Sequence, residues 1–108
     1  MSFKAVILLR RRDDMSAEEF RRWWLHEHAP LAAQLPGVRR IVFNAAVDDP
    51  PGGADDVDGV SELWFDSEAD FVAAYATELG QQVAADSMAH VRGRTRLFVT
   101  EHDVVSEV

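Results

Sequence analysis

The strands this chain can form are apolar on both faces, yet only two stretches have helical spacing to cover them. Phe3 to Arg10 is apolar at nearly every position, so Val6 and Leu8 oppose Phe3, Ala5, Ile7 and Leu9, which implies burial on both sides. Val38 to Val47 reads as a second strand, with Ile41, Phe43, Ala45 and Val47 on one face. Gly59 to Phe65 is a third, with Trp64 opposite Leu63 and Phe65. Arg94 to Val105 is a fourth, with Leu97 and Val99 opposite Phe98. Two helical regions cover one face of a four-stranded sheet and leave the other bare. No segment is long and apolar enough to cover it, so a second copy of the same sheet is the expected cover.

The first helical region begins at Ser16, where Glu19 three residues on completes a capping box. Phe20, Trp23, Trp24, Leu31 and Leu35 follow helical spacing. Pro30 removes a backbone donor, so it kinks the helix or begins a second piece. Pro36-Gly37 ends the region. The second begins at Ser67, with Asp70 at the third position and Phe71, Ala74, Tyr75 and Leu79 as its apolar stripe. Gly80 is expected to interrupt it before a further helical segment, Gln81 to His90. The order strand, helix, strand, strand, helix, strand is the split βαβ pattern of a ferredoxin-like α+β fold, in one domain over residues 1–108. Paired through their sheet faces, two such chains form an α+β barrel.

Composition narrows the function. A net charge of −8 argues against nucleic acid or an anionic membrane as partner. The arginines do cluster, at Arg10 to Arg12, Arg39-Arg40 and Arg92-Arg94-Arg96, and each cluster reads as a solvated strand end. With no cysteine there are no disulfides, thiolate nucleophiles or cysteine metal sites, which fits the cytoplasm. The first apolar run is too short to span a membrane. Asp48 to Gly59 is an acidic loop rich in Pro and Gly; it lacks the lysine of a phosphate loop and the spacing and closing glutamate of a calcium loop.

Two of the four histidines lie in Trp23-Trp24-Leu25-His26-Glu27-His28. On a helical wheel, His28 falls at the edge of the face holding Phe20, Trp24, Leu31 and Leu35, and His26 falls opposite. His28 is therefore the inward candidate for proton transfer; a core histidine bonded to backbone is as good a reading. Their spacing does not suit shared metal ligation. Glu62 shares a strand face with Val60 and Trp64, so it must be paired, protonated or functional, and an arginine partner is the plainer expectation. Asp86 is a cap, a surface carboxylate or the partner that orients His28. Glu101 and His102 lie in the last strand, facing opposite ways, and the facing of His90 is open.

Ser16-Ala-Glu-Glu-Phe20, Trp24, His28-Ala-Pro-Leu31 and Leu35-Pro-Gly37 resemble the N-terminal signature of the EthD-like family of dimeric α+β barrels. Glu62-Leu-Trp-Phe65, Asp86 and Val99-Thr-Glu-His102 are similar in the later part. The resemblance implies a cavity for a hydrophobic, oxygenated small molecule, worked without metal or flavin cofactor, as in related isomerases, cyclases, decarboxylases and monooxygenases. The family histidine carries over onto His28 and its aspartate onto Asp86. The resulting expectation is a cofactor-independent enzyme with His28 as general acid or base, oriented by Asp86 or Glu62. Phe20, Trp24, Leu31, Phe43 and Trp64 would line the pocket. The alternative is a non-catalytic protein that holds a metabolite for a partner oxygenase.

Overall fold

A computed structural model describes residues 2–47 and 56–107. Most of the acidic loop expected over Asp48 to Gly59 lies outside the described residues. The elements run β1 (Phe3–Arg11), α1 (Ala17–Trp23), a π-helical turn (Trp24–His28), α2 (Ala29–Ala32), β2 (Arg40–Ala45), β3 (Gly59–Phe65), α3 (Glu68–Ala76), α4 (Glu78–His90) and β4 (Val91–Val99). The four strands form one sheet in the order β2-β3-β1-β4, all neighbours antiparallel. This is the ferredoxin-like α+β fold.

Register assigns the two faces. Val6 pairs with Glu62 and Leu97, Lys4 with Trp64 and Val99, and Trp64 with Arg40, so these side chains share the outer face. Ala5, Ile7, Leu9, Ser61, Leu63 and Phe65 point the other way and are buried under the helices with Phe20, Trp23, Trp24 and Phe71. Aromatic pairs tie the layers together: Phe65 meets Phe71 edge-on at 5.5 Å, and Phe3 lies 5.5 Å from Phe71. No described helix covers the outer face, where Leu97 is half exposed.

Local chemistry explains the helix ends. The Ser16 hydroxyl accepts from the Glu19 N–H at 3.0 Å, and the Glu19 carboxylate accepts from the Ser16 N–H at 2.9 Å. Ser67 caps α3 by accepting from the Asp70 N–H. The break between α3 and α4 falls at Thr77, not at Gly80. Thr77 is extended and its hydroxyl accepts from the Gly80 N–H at 3.0 Å. Gly80 instead serves the corner: a Cβ there would stand 2.2 Å from the Ala74 carbonyl oxygen. Leu79 consequently belongs to α4.

The last strand also differs from the expectation. It begins at Val91 rather than Arg94, because Arg11 pairs with Val91 through an irregular register step. It ends at Val99, which leaves Glu101 and His102 beyond the sheet. Arg94 and Arg96 therefore sit inside β4, opposite the inward Leu9 and Ile7; Arg96 is solvent-exposed as expected, whereas Arg94 is half-buried. Arg96 finds a partner of another kind, its guanidinium lying 5.4 Å from the Phe71 ring and 5.1 Å from the Phe98 ring.

Candidate active site

Pro30 shapes the site. It offers no N–H to the carbonyl four residues back, and its ring crowds that turn. A second short piece, α2, begins at Ala29 with Pro30 in its first turn, as one of the two expectations had it. Between α1 and α2 the backbone widens into a π turn, with the Ala29 N–H donating to the Trp24 carbonyl five residues earlier. The extra residue in the turn swings His28 back between the Trp23 and Phe43 rings, 5.0 and 6.1 Å away, where a regular α turn would leave it at the edge. His28 is 5% exposed as a result, while His26 faces solvent.

His28 meets Asp86 of α4. The two side chains lie 2.8 Å apart, from Nδ1 to Oδ2. The indole N–H of Trp23 donates to the same carboxylate at 3.2 and 3.3 Å, so Asp86 is oriented by two donors. His90, one helical turn beyond Asp86, stacks on Trp23 with ring centres 4.1 Å apart. Its Nδ1 lies 2.7 Å from the Asp86 carbonyl oxygen and 3.6 Å from its carboxylate. Burial pushes the His28 imidazole below its ordinary proton affinity, and the hydrogen bond and charge of Asp86 oppose that only in part. A neutral His28 whose Nδ1–H donates to Asp86 has its lone pair on Nε2. Among the described residues, Nε2 makes no hydrogen bond.

His28 borders a cavity of about 20 Å3, the room of roughly one water. Its walls combine apolar Ile7, Leu9, Leu63 and Val83 with the buried Ser61 and Ser87 and the half-buried Phe43, Tyr75 and Arg94. Trp24 and Phe43 stack nearly parallel at 4.4 Å and form one flat side. Burial raises the Tyr75 phenol above its ordinary value, and Arg94 and Arg96 oppose the rise. The Trp24 indole nitrogen is buried without a hydrogen-bond partner among the described residues. Such a donor costs about 1–3 kcal/mol unless something answers it.

The sequence-predicted residues separate into two groups. His28, Trp24 and Phe43 border the cavity, and Asp86 contacts His28. Phe20 is fully buried behind Trp24, 5.5 Å from its ring, and Leu31 packs on the core; neither lines the cavity. Glu62 and Trp64 are on the outer face of the sheet, away from His28. Glu62 binds Lys4 at 2.8 Å, not the arginine expected, and accepts from Asn44 at 3.0 Å. Hydrogen bonds from Lys4 and then Asn44 hold its carboxyl below the usual range. Trp64 donates to Glu101 and lies under Lys4, 4.4 Å from the ring centre. Glu62 is thus not in a position to orient His28, and Trp64 is not in its pocket.

Ser61, Tyr75, Ser87, Arg94 and the supporting Trp23 and His90 were not singled out as site residues by the sequence. Strand alternation from Leu63 signals that Ser61 faces inward, and helical spacing from Phe71 does the same for Tyr75. Nothing local signals Arg94, whose facing depends on where β4 begins. Among the described residues, no three His, Asp or Glu side chains are grouped to hold a metal ion. No described helix is long and apolar enough to cross a membrane.

The fold and this inward His–Asp pair define a ferredoxin-like α+β protein with a small cavity beneath its helices. The chain belongs to the EthD domain family, whose model matches residues 12–91. It is 29% identical over 79 residues to an uncharacterized 11.0 kDa protein from the thcB–thcC intergenic region of Rhodococcus erythropolis, covering 73% of this chain and 76% of that protein. An EthD family protein from Bacillus halodurans superposes with a TM-score of 0.81 at 22% identity, covering 94% and 100% of the two chains. A dimeric ferredoxin-like protein of unknown function from Thermobifida fusca gives 0.74 at 17%, covering 94% and 92%. The same fold is found in a hydroxynitrile lyase from Passiflora edulis (0.76, 15% identity, 97% and 97% covered). It also occurs in SnoaB, a cofactor-independent oxygenase from Streptomyces nogalater (0.71, 17%, 98% and 98%).

Proposed function

We propose that this protein is a cofactor-independent enzyme in which His28 moves a proton on a hydrophobic, oxygenated small molecule. The observation that carries the reading is the His28–Asp86 hydrogen bond, 2.8 Å long, with the free ring nitrogen left to the cavity. Asp86 accepts from Nδ1 and so leaves the lone pair on Nε2. Burial keeps the ring neutral and hence basic near pH 7. Nε2 takes a proton from a hydroxyl, or from carbon beside a carbonyl, and returns it at a second atom. Low polarity around Trp24, Phe43 and Leu63 strengthens the interaction between the imidazolium so formed and the anion beside it. That a lyase and a cofactor-independent oxygenase share the fold supports the reading by analogy of architecture.

The working unit in this proposal is a cytoplasmic homodimer joined through the outer sheet faces. Its support is the uncovered row of Val6, Val42, Val60, Leu97 and Val99, together with the dimeric state of the T. fusca protein.

The test is a thermal-shift screen of lactones, phenols, quinones and polyketide-like acids on wild type and His28→Ala, followed by turnover assays on the hits. The proposal expects a hit that stabilises wild type, loses most of its effect in the variant, and is converted only by wild type. Placed general acid–base groups contribute about 10²–10⁴-fold, so the variant should lose that much rate. Equal stabilisation of both proteins without conversion would identify a metabolite carrier instead.

A further inference from the structure

Arg94 is a cation on the wrong side of the sheet. Its Cα partner is the buried Leu9, so it faces the helices rather than the outer surface. Arg96, on the same face, is accounted for by the Phe71 and Phe98 rings. Arg94 makes no ion pair and no hydrogen bond among the described residues, in a chain with 19 acidic and 11 basic side chains. Arg11, Arg12, Arg22, Arg39 and Arg92, by contrast, each reach a carboxylate. Arg94 borders the same cavity as His28.

Trp24 borders the cavity through its ring, while its indole N–H is sealed in the packing. An unpaired cation beside a cavity calls for an anionic acceptor there. Arg94 is a permanent cation with a planar fork that matches carboxylate geometry. We infer that Arg94 is the anion-holding residue of this cavity, and that the ligand carries an ionised oxygen, a carboxylate or an acidic enol or phenol, near the atom presented to His28.

The sizes agree with this division. The space of about 20 Å3 admits one small polar group. The remainder of the ligand then lies among Phe43, Tyr75 and Arg94, which are half-buried where His28, Ser61 and Ser87 are buried. The inference rests on the reading of this cavity as the site of His28 chemistry, but its test reads binding alone.

Benzoate, 4-nitrophenolate and the neutral isostere benzamide are titrated by NMR into wild type, Arg94→Gln, Arg94→Lys and His28→Gln at low and high salt. The His28 and Trp24 ring resonances report occupancy. At least one of the two anions is expected to shift these resonances more strongly than benzamide and to weaken with salt. Its affinity should fall about ten- to hundredfold in Arg94→Gln, the loss of one charge-assisted contact, and be partly kept in Arg94→Lys. Preference for benzoate identifies a carboxylate ligand, and preference for 4-nitrophenolate an ionised enol or phenol. Affinity unchanged in Arg94→Gln, binding of benzamide equal to the anions, or no anion perturbing either ring would overturn the assignment. Retained anion binding in His28→Gln keeps the result separate from the acid–base proposal, which fails only on turnover.

Discussion

Asp86 Oδ2 lies 2.8 Å from His28 Nδ1, although 58 residues separate them in the chain. The contact exists because a π turn aims His28 inward and because α4 carries Asp86 one helical turn before His90, which stacks against Trp23. Neither half of the pair is fixed by its own element alone.

Replacing Asp86 with Asn removes both influences that raise the proton affinity of His28, its hydrogen bond and its charge, and leaves burial to act unopposed. The His28 midpoint, followed by NMR of the ring carbons, should move to lower pH than in wild type. The amide can also donate to Nδ1 and drive the proton onto Nε2, which removes the base. Any activity should then fall by about 10²–10⁴-fold. A midpoint at or above the wild-type value contradicts the assigned pairing.

Stability should depend on pH through the same ring. His28 has a folded proton affinity below its ordinary value of 6.5, so the unfolded chain binds the proton better. The contribution is whole above pH 6.5 and is lost as pH falls below that value toward the folded midpoint. Carboxylates such as Glu62 and Asp66, whose values are lowered, contribute their losses only at more acid pH. Melting temperatures between pH 8 and 5 should fall less in His28→Gln than in wild type. Parallel curves would show that His28 titrates alike in both states.

Gly59 faces Trp24. An added Cβ would stand 2.6 Å from the Cη2 and Cζ3 atoms of that ring, and the ring is fully buried. Gly59→Ala should therefore cost about 1–3 kcal/mol, the range for overpacking. Calorimetry should show a lower melting temperature, and the indole signal of Trp24 should shift with it. An unaltered melting temperature would mean that the Trp24–Phe43 stack yields freely.

Glu62 and Lys4 answer each other on the outer face, with side-chain exposures of 26% and 12%. Glu62→Gln leaves Lys4 with the weaker, more distant Glu101 at 3.6 Å. A loss of about 1 kcal/mol is expected, between the values for exposed and buried pairs. Denaturant titration measures it. The His28 ring resonances should not move, and a marked shift would mean that the two faces communicate.

Leu97 is 49% exposed in the single chain and sits opposite Val6. Leu97→Glu should be mild for one chain and disruptive for two sheets packed face to face. Sedimentation velocity is expected to give a dimer for wild type and a larger monomer fraction for the variant. A monomeric wild type would remove the proposed assembly.

Much of the fold was legible because it rests on periodicity. Odd-numbered positions of β1 and β3 alternate into the core, and Ser16 and Ser67 announce their helices by capping. The inward facing of His28 was only half legible: an α wheel puts it at an edge, and the π turn that Pro30 favours completes the rotation. The burial of Glu62 gave no clue to its partner, since Lys4 comes from a neighbouring strand whose register the sequence does not state. The start of β4 is hidden because Arg92, Arg94 and Arg96 look like one solvated cluster, when Arg92 and Arg96 are exposed and Arg94 is half-buried on the helix side. Trp64 reads as a pocket residue by its aromatic character alone, yet it shares a strand face with Glu62, and that face is turned away from the helices.

The π turn also acts as an insertion mark. It closes a hydrogen bond five residues back, from Ala29 to Trp24, where a plain helix reaches back four. A relative lacking it should align with a one-residue gap between its counterparts of Trp23 and Pro30. Such a chain would carry the neighbour of its histidine, not the histidine itself, into the cavity. Sequence identity at this position therefore says little about shared chemistry unless the spacing from Trp24 to Pro30 is preserved as well.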